Sequence, residues 1–384
     1  MGLTILSLTG LALLAAYASI LKRTLASWNA LPEWELPKDF EPRTFITVLI
    51  PARNEAANIT RLLDTLSRQR YPREKFEVIV IDDHSTDGTP EIVEQYPLSN
   101  LRLLRLAEHL SPNGPIHSHK KKALETGVRR ARGTLILTTD ADCEVPPGWL
   151  ATYASFHEST GAAFMAAPVL FHREQTLLQR FQALDLIGMM AVTGAGIHSR
   201  SFYMANGANL SFTKEMFLQA GGYTGNEQHA SGDDVFLIQK VAALAPDKVA
   251  FLKSRQATVL SLPMPGLKSF VNQRLRWGTK NRSYQDGRIT AVLGLVFILC
   301  WFTTGMFLAF PVFGWYGLGL ALALFAGKGL ADYFLLSDAA SFFDRRGLMR
   351  RFWLKEGLHI LYIALVGLLS LVVKEYEWKG RRVK

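Results

Sequence analysis

The sequence predicts an α/β domain with a mostly parallel sheet, flanked by helices that cross a membrane. Three observations carry that expectation. Short β-branched runs alternate with helical spacing from residue 45 to residue 138, residues 2–21 carry no charge, and residues 289–327 form a longer uncharged run. At 384 residues the chain exceeds a typical single domain. A mean hydropathy of +0.11 is high for a chain with 43 Lys and Arg and 33 Asp and Glu, so its apolar residues must be gathered in blocks.

Taken in order, residues 2–21 at ~1.5 Å each cover about the 30 Å of a hydrocarbon core. A secretory signal would need a basic region before the apolar run, but Lys22 and Arg23 follow it, so residues 1–23 read as an anchor. Residues 24–44 form a Pro-rich linker. Residues 45–50 are a strand, Ile59, Leu62, Leu63 and Leu66 fall at helical spacing, and residues 76–81 are a second, buried strand. Pro90 opens a helix, residues 101–106 make a third strand, residues 123–128 lie on another helix, and residues 134–138 make a fourth strand. This rhythm predicts a parallel sheet covered on both faces.

Further on, Leu177, Leu178, Phe181, Leu184 and Ile187 recur at helical spacing among Arg173, Glu174, Arg180 and Asp185. They suit an interfacial helix within residues 171–200, with a core helix as the alternative. The run 289–327 is nearly twice the bilayer thickness, with Pro311 and Gly314 near its middle, and reads as a hairpin over residues 289–336. Lys328 and Asp332, one helical turn apart, either pair or sit at the cytoplasmic exit of the hairpin, and the exit is the expectation. Residues 337–356 form a basic loop, and residues 357–384 an apolar helix with a basic tail.

The net charge of +10 gathers beside the apolar runs, at Lys22, Arg23, Arg345, Arg346, Arg350, Arg351, Lys379, Arg381, Arg382 and Lys384, which suits a cytoplasmic leaflet. No finger spacing or RNA-binding signature accompanies it, so nucleic acid is not expected as a partner. The two cysteines, Cys143 and Cys300, imply neither a disulfide framework nor a zinc site, in keeping with a reducing compartment.

In parallel sheets ligands bind beyond the carboxyl ends of the strands, so the polar residues there are the ones to read. They are Pro51-Ala52-Arg53-Asn54-Glu55, Asp82-Asp83-His84-Ser85-Thr86-Asp87-Gly88, and Thr139-Asp140-Ala141-Asp142-Cys143-Glu144. Asp140 and Asp142, alternate residues of an expected extended segment, would project to one side and require a cation. Hard oxygen ligands favour Mg²⁺ or Mn²⁺, bound jointly with phosphates.

Residues 47–55, the Asp82-Asp83 pair, Lys120 with Ala123-Leu124, and Asp140-Ala141-Asp142 together resemble the nucleotide-sugar-binding half of the inverting family-2 glycosyltransferases. The resemblance implies a GT-A-like fold and a nucleotide-sugar donor. It places Ala52, Arg53, Glu55, Asp82 and Asp83 at the nucleoside, Lys120 near the donor, and Asp140 and Asp142 at the metal and diphosphate. Asn206-Gly207-Ala208-Asn209 and Gly221-Gly222-Tyr223 are similar to the family's acceptor-side segment. Ser231-Gly232-Asp233-Asp234 stands where the family carries its catalytic acids, with Asp233 where Glu is usual. Gln273-Arg274-Leu275-Arg276-Trp277 resembles the Gln-x-x-Arg-Trp signature of the membrane branch, which includes cellulose, hyaluronan and chitin synthases and ceramide glucosyltransferases.

The resemblance covers residues 47–277 and implies a cytoplasmic glycosyltransferase domain over 45–262, followed by an interfacial segment over 263–288. Asp234 would be the base that takes the acceptor proton, with Asp233 in reserve, and Arg276 would stabilise the leaving diphosphate. Asn209, Gln273 and Trp277 would face the acceptor, the indole offering a stacking surface at lipid depth, unless the Arg-Trp pair is only an interfacial belt. Asp142, Asp234 and Trp277 are expected to converge on one pyrophosphate.

Nucleotide sugars are made in the cytoplasm, so the domain should face it, with the bacterial plasma membrane as the expected setting. Lys22 and Arg23 then put the N-terminus outside. A crossing last run would export the basic tail, so four-span and three-span topologies both stand. Transfer to a lipid or lipid-linked hydroxyl is preferred over processive polymer synthesis, because few spans leave little to line a pore. A non-catalytic sugar-nucleotide or lipid-binding protein is the alternative from another class. Nucleotidyl transfer lacks its glycine-rich basic loop after the first strand.

Overall fold

The computed structural model describes residues 2–110, 118–225, 232–279, 287–372, 376–378 and 381–383. Ser231, residues 280–286 of the 263–288 segment and the side chains of the basic tail lie outside the described residues. The chain forms two compact units. One comprises Met1–Ala30, Arg173–Ala195 and Pro263–Tyr376, and the other Leu31–His172, Gly196–Leu262 and Glu377–Lys384.

Helix α1 (Gly2–Ala30) belongs to the first unit. The second unit then opens with the alternation expected from the sequence: β1 (Ile46–Ala52), α2 (Ile59–Ser67), β2 (Phe76–Asp82), α3 (Thr89–Gln95), β3 (Leu101–Arg105), α4 (His119–Arg130) and β4 (Leu135–Thr138). Every residue of β2 and of β4 is buried, the mark of strands covered on both faces. Next come α5 (Trp149–Thr160), β5 (Phe164–Ala166) and β6 (Val169–Phe171); α6 (Leu177–His198) lies in the first unit as far as Ala195. The second unit resumes with β7 (Leu210–Thr213), α7 (Lys214–Gln219), α8 (Asp233–Leu244), β8 (Val249–Phe251) and β9 (Val259–Ser261).

The main sheet has the order β3-β2-β1-β4-β7-β5-β8. Strands β3, β2, β1 and β4 are parallel, β7 runs antiparallel to both β4 and β5, and β5 and β8 are parallel. Strands β6 and β9 form a small parallel sheet. The fold is thus the mostly parallel α/β class that the sequence predicts. Register aligns the carboxyl ends that matter, pairing Ala52 with Asp82 and Leu49 with Thr138.

A buried carboxylate fixes the opposite edge. Glu77 on β2 accepts from the Thr47 hydroxyl at 2.8 Å and from the Arg132 amide at 2.7 Å, and its other oxygen meets Arg102 at 2.9 Å and Arg132 at 3.0 Å. Thr47 in turn accepts from the Gly133 amide at 2.8 Å, so three strands are tied at one point. Burial alone would raise the pKa of Glu77, but the Arg132 amide, the Thr47 hydroxyl and Arg102 outweigh it and hold the acid below its ordinary value.

The first unit also contains α9 (Leu267–Thr279), α10 (Gly287–Leu308), α11 (Phe310–Phe342) and α12 (Phe352–Val372). Four of its helices are long and apolar enough to cross a membrane, over Gly2–Ala30, Gly287–Leu308, Phe310–Phe342 and Phe352–Ser370. Pro311 stands in the first turn of α11, where its missing N–H costs nothing, and Gly314 breaks the helix at φ 55°. Trp28 of α1 is fully buried edge-on against Phe342, with ring centroids 5.6 Å apart. Helix α6 buries Phe181, Leu184 and Ile187 within this unit.

Lys328 and Asp332 form the pair that the sequence offers as one of its two readings. The Lys328 side chain is fully buried, with its ammonium 2.6 Å from Asp332, 2.7 Å from Glu356 and 3.1 Å from Nδ1 of His359. The Tyr17 hydroxyl donates to Asp332 as well. The i,i+4 spacing on α11 made the pair, and two groups from α12 complete it.

Two outcomes follow. Glu77 contributes stability that is fully present above its unfolded pKa of ~4.5 and is lost as pH falls through its lower folded value. Unfolding midpoints measured across the acid range should therefore fall more steeply in wild type than in Glu77→Gln. Lys328→Met leaves two buried acids without their cation and should cost about 3–5 kcal/mol, seen as a lower melting midpoint in detergent. An unchanged midpoint would rule out the ammonium as the centre of that cluster.

Candidate active site

The loops after β1 and β2 are stitched together. Arg53 donates from Nη1 to the carbonyls of Asp83 at 2.7 Å and His84 at 2.8 Å. Asn54 accepts from the Thr86 amide at 2.8 Å and donates its own amide to Ser85 at 3.0 Å. Both Asn54 and His84 sit in the left-handed region, at φ 51° and 57°, which Asn and His tolerate better than most residues. Glu55, nearly buried, accepts from Asn58 at 2.8 Å, and Asp82 accepts from the Ser85 amide at 3.2 Å. Ala52 is buried, and its carbonyl accepts from the Asp83 amide at 2.8 Å. The result is a rigid ledge at the carboxyl edge of β1 and β2.

Asp83 on this ledge has two histidine partners, His84, to which the sequence reading gave no role, and His119, which it did not name. His84 and His119 each bring Nδ1 to its Oδ1, at 2.9 and 2.8 Å. The ligand atoms of Asp83, His84 and His119 lie within 4.8 Å of one another, a spacing that suits a cation. His119 is the first residue of α4, separated from Asp83 by an entire βα unit, so its approach is a product of topology.

The next residue, Lys120, carries the centre of the site. Its ammonium donates to Asp140 Oδ1 at 2.7 Å and lies 3.7 Å from Asp233 Oδ2. Burial works against that charge, but Asp140 and Asp233 outweigh it and hold the amine above the usual lysine range. Asp233 and Asp234 are the first two residues of α8, where amides and the helix dipole favour carboxylates. Gly232 launches them from φ 86°, and a Cβ there would meet the Phe236 ring at 2.9 Å.

Asp234 is held from both sides, Oδ1 by the Val235 amide at 2.8 Å and Oδ2 by the Gly207 amide at 3.1 Å. The Gly207 carbonyl accepts from Thr138 on β4 at 2.9 Å, connecting the acid pair to the sheet. Tyr223 is buried beside these acids. Burial, then Asp233 and Asp234, push its phenol well above its usual pKa.

Two expectations are corrected here. Asp140-Ala141-Asp142 is not extended: the Cys143 amide reaches back to the Asp140 carbonyl at 3.1 Å and closes a turn. Burial, then Asp142 and Asp140, push the Cys143 thiol up, consistent with both acids flanking it. Asn209 is fully buried. Its oxygen accepts from Trp149 at 3.0 Å and Tyr153 at 2.9 Å, and its amide donates to Pro168 and Ala257 carbonyls at 2.7 Å each. With its donors and acceptor engaged inside the core, Asn209 braces β7 and has no group to offer an acceptor.

In the first unit, α9 carries Gln273, Arg274, Arg276 and Trp277. Gln273 Oε1 is buried without a hydrogen-bond partner among the described residues. Arg274, outside the expected set, is 2% exposed, ion-pairs with Asp185 of α6 at 2.8 Å and lies 4.3 Å over the Trp277 ring. One face of the indole is therefore covered by a guanidinium. Arg276 is partly exposed on the same helix.

A mostly parallel sheet bearing this acid cluster at its carboxyl edge defines a GT-A-like α/β domain. The chain belongs to glycosyl transferase family group 2, whose model matches residues 135–369, and the glycosyl transferase family 2 model matches residues 47–205. It is similar to the glycosyltransferase AglE of Haloferax volcanii, 33% identical over 129 residues, which are 33% of this chain and 40% of that protein. It is also similar to the probable glycosyltransferase YdaM of Bacillus subtilis, 26% identical over 204 residues, 50% of this chain and 46% of that one. The matched segments thus span less than half of each of these relatives. Among solved structures, the mannosyltransferase PcManGT of Pyrobaculum calidifontis, in complex with GDP-Man and Mn²⁺, shares the fold. It has a TM-score of 0.57 and 22% identity, with 96% of this chain and 100% of that one covered.

Gly207 makes a sharp test of the cluster. A Cβ at this position would lie 3.0 Å from Asp233 Oδ2 and 3.2 Å from the Lys120 ammonium. Gly207→Ala should lower turnover about 100-fold by displacing these groups, with a melting midpoint close to wild type. Full turnover in that variant would show that the acids and Lys120 do not act together.

Proposed function

We propose that this chain transfers a sugar, with inversion, from a nucleotide-diphosphate sugar to a hydroxyl of a membrane-associated lipid or lipid-linked acceptor. The observation that carries this reading is Lys120, which draws Asp140 of the Asp-x-Asp turn and Asp233 of the α8 acid pair around one ammonium. On this reading donor-side and acceptor-side acids share a site.

The ledge of Ala52, Arg53, Glu55, Asp82 and Asp83 would receive the nucleoside, with the Asp83 carboxylate, oriented by His84 and His119, as its polar contact. Asp234, positioned by two backbone amides, would take the acceptor proton as the oxygen attacks the anomeric carbon opposite the leaving diphosphate. Asp233 stands in reserve. Lys120 would balance charge as the diphosphate departs, and Arg276 is assigned to the same charge on its sequence signature. Gln273 and Trp277 are assigned to the acceptor on that basis, with the indole face away from Arg274 as the stacking surface.

The residues present fit a divalent cation. Asp140, Asp233 and Asp234 are hard oxygen donors and outnumber the Lys120 charge beside them, and Asp142, beside Cys143 in the same turn as Asp140, is assigned with them on its sequence signature. Among the described residues their oxygens do not close a three-ligand cluster, so phosphate oxygens would complete the coordination of Mg²⁺ or Mn²⁺. When bound, that ion would supply charge stabilisation to the leaving group. Four helices able to cross a membrane support a bilayer setting with the acceptor in the lipid phase.

Incubating the full chain in lipid with a panel of labelled nucleotide sugars, native membrane lipids and Mn²⁺ tests the reading. Mass spectrometry should find the glycosylated lipid, NMR of the purified product should show a β-anomer from an α-linked donor, and Asp234→Asn should lower turnover about 10²–10⁴-fold. Turnover that survives in Asp234→Asn, or in excess chelator, would remove the base or the cation from the scheme.

A further inference from the structure

The first unit holds a second concentration of charge, of opposite sign to the acid cluster. A cavity of about 300 Å³ is lined by Gln175, Leu177, Arg180, Arg350, Arg351 and Lys355, with Gly347 at its edge. That volume is within the ~300–1,000 Å³ typical of small-ligand sites. No acid lines it. Neighbouring basic residues are engaged: Arg345 pairs with Glu174, and Arg346 donates to Ser341 at 2.7 Å. Arg180, Arg350 and Arg351, all exposed, have no acidic partner among the described residues.

Lys355 differs from the arginines. It is 3% exposed, and its ammonium donates to the carbonyls of Leu348 and, at 3.0 Å, Arg350. This fixes a cation at the base of the cavity and ties down the turn that presents Arg350 and Arg351. Arg351 adopts φ 57°, a left-handed conformation uncommon for a side chain of this size. On the other wall, Arg180 follows a formed helix start, where Gln179 accepts from the Gln175 amide at 2.9 Å and donates its own amide to Thr176 at 3.2 Å. Four like charges held around one hollow repel unless an anion enters, and three guanidiniums match the oxygens of a phosphate.

The position selects the carrier of that phosphate. Arg351 immediately precedes the apolar stretch Phe352–Ser370, and Trp353 and Leu354 on its first turn are each 49% exposed. Leu177, 37% exposed, adds apolar surface at the rim. A ligand that joins an anionic head to hydrocarbon satisfies both parts, as basic residues beside a span commonly do with anionic lipids. We infer that the cavity between the start of α6 and the start of α12 is a binding site for the phosphate head of a lipid. It would hold that head whether or not the acid cluster transfers a sugar, so Asp142→Asn should leave lipid binding unchanged.

The test uses the purified full chain in neutral-detergent micelles doped with phosphatidylglycerol, a polyprenyl phosphate or phosphatidylcholine, with retained lipid counted by native mass spectrometry. Wild type should retain phosphatidylglycerol, the polyprenyl phosphate or both about tenfold more than the triple variant Arg180→Gln, Arg350→Gln, Arg351→Gln. The same three positions changed to Lys should keep most of the retention, and equal melting midpoints confirm that all variants fold. Loss confined to the polyprenyl phosphate supports a site for a lipid-linked substrate, and loss for both lipids supports a general headgroup site. Equal retention by wild type and the Gln variant overturns the inference, and so does displacement of the lipid by inorganic phosphate at equimolar concentration.

Discussion

The ammonium of Lys120, 2.7 Å from Asp140 and 3.7 Å from Asp233, is the contact on which the catalytic unit depends. Without a cation at that point, carboxylates from the end of β4 and the start of α8 would repel at short range in a partly desolvated site. The rest of the geometry serves to keep them there. Glu77 locks the far edge of β1, β2 and β4, so the near edge has a fixed register. Thr138 holds the Gly207 carbonyl, the Gly207 amide holds Asp234, and the absent side chain of Gly207 lets Asp233 and Lys120 approach. A sheet buried on both faces resists distortion, and Thr138 at the end of β4 passes that fixed position to Gly207 and so to Asp234.

The same principle is applied differently in the first unit. There several buried charges are paired with one another. Lys328 joins Asp332 and Glu356 inside a helical unit otherwise rich in apolar side chains, and Arg274 joins Asp185 while covering one face of Trp277. Charges at such depth are costly unless paired, so these contacts fix which faces of α1, α6, α9, α11 and α12 can meet. The basic cavity near Arg350 is the exception, since its cations face one another with no acid in its lining. That contrast is why it reads as a place for an external anion.

Much of this was legible along the chain. Continuous apolar strands between helical stretches gave the parallel sheet, because a strand buried on both faces has no polar positions to alternate with. The uncharged runs gave helices long and apolar enough to cross a membrane, since length and hydropathy are local properties. The loops after β1, β2 and β4 could be named because ligands gather at carboxyl edges in this architecture. The antiparallel β7, by contrast, left no local sign, and the turn at Asp140-Ala141-Asp142 follows from a backbone hydrogen bond rather than from residue type.

Sequence by itself thus determined which chemistry-bearing residues exist and which strand end or helix start carries each, because secondary structure answers to short-range periodicity and sterics. Only tertiary structure decided their partners. It turned Asn209 into a buried brace, gave Asp83 its two histidines, set Lys120 between acids more than ninety positions apart, and buried Lys328 among groups from α12. Partnership of that kind depends on how the chain crosses between layers, and no window of neighbouring residues contains that information.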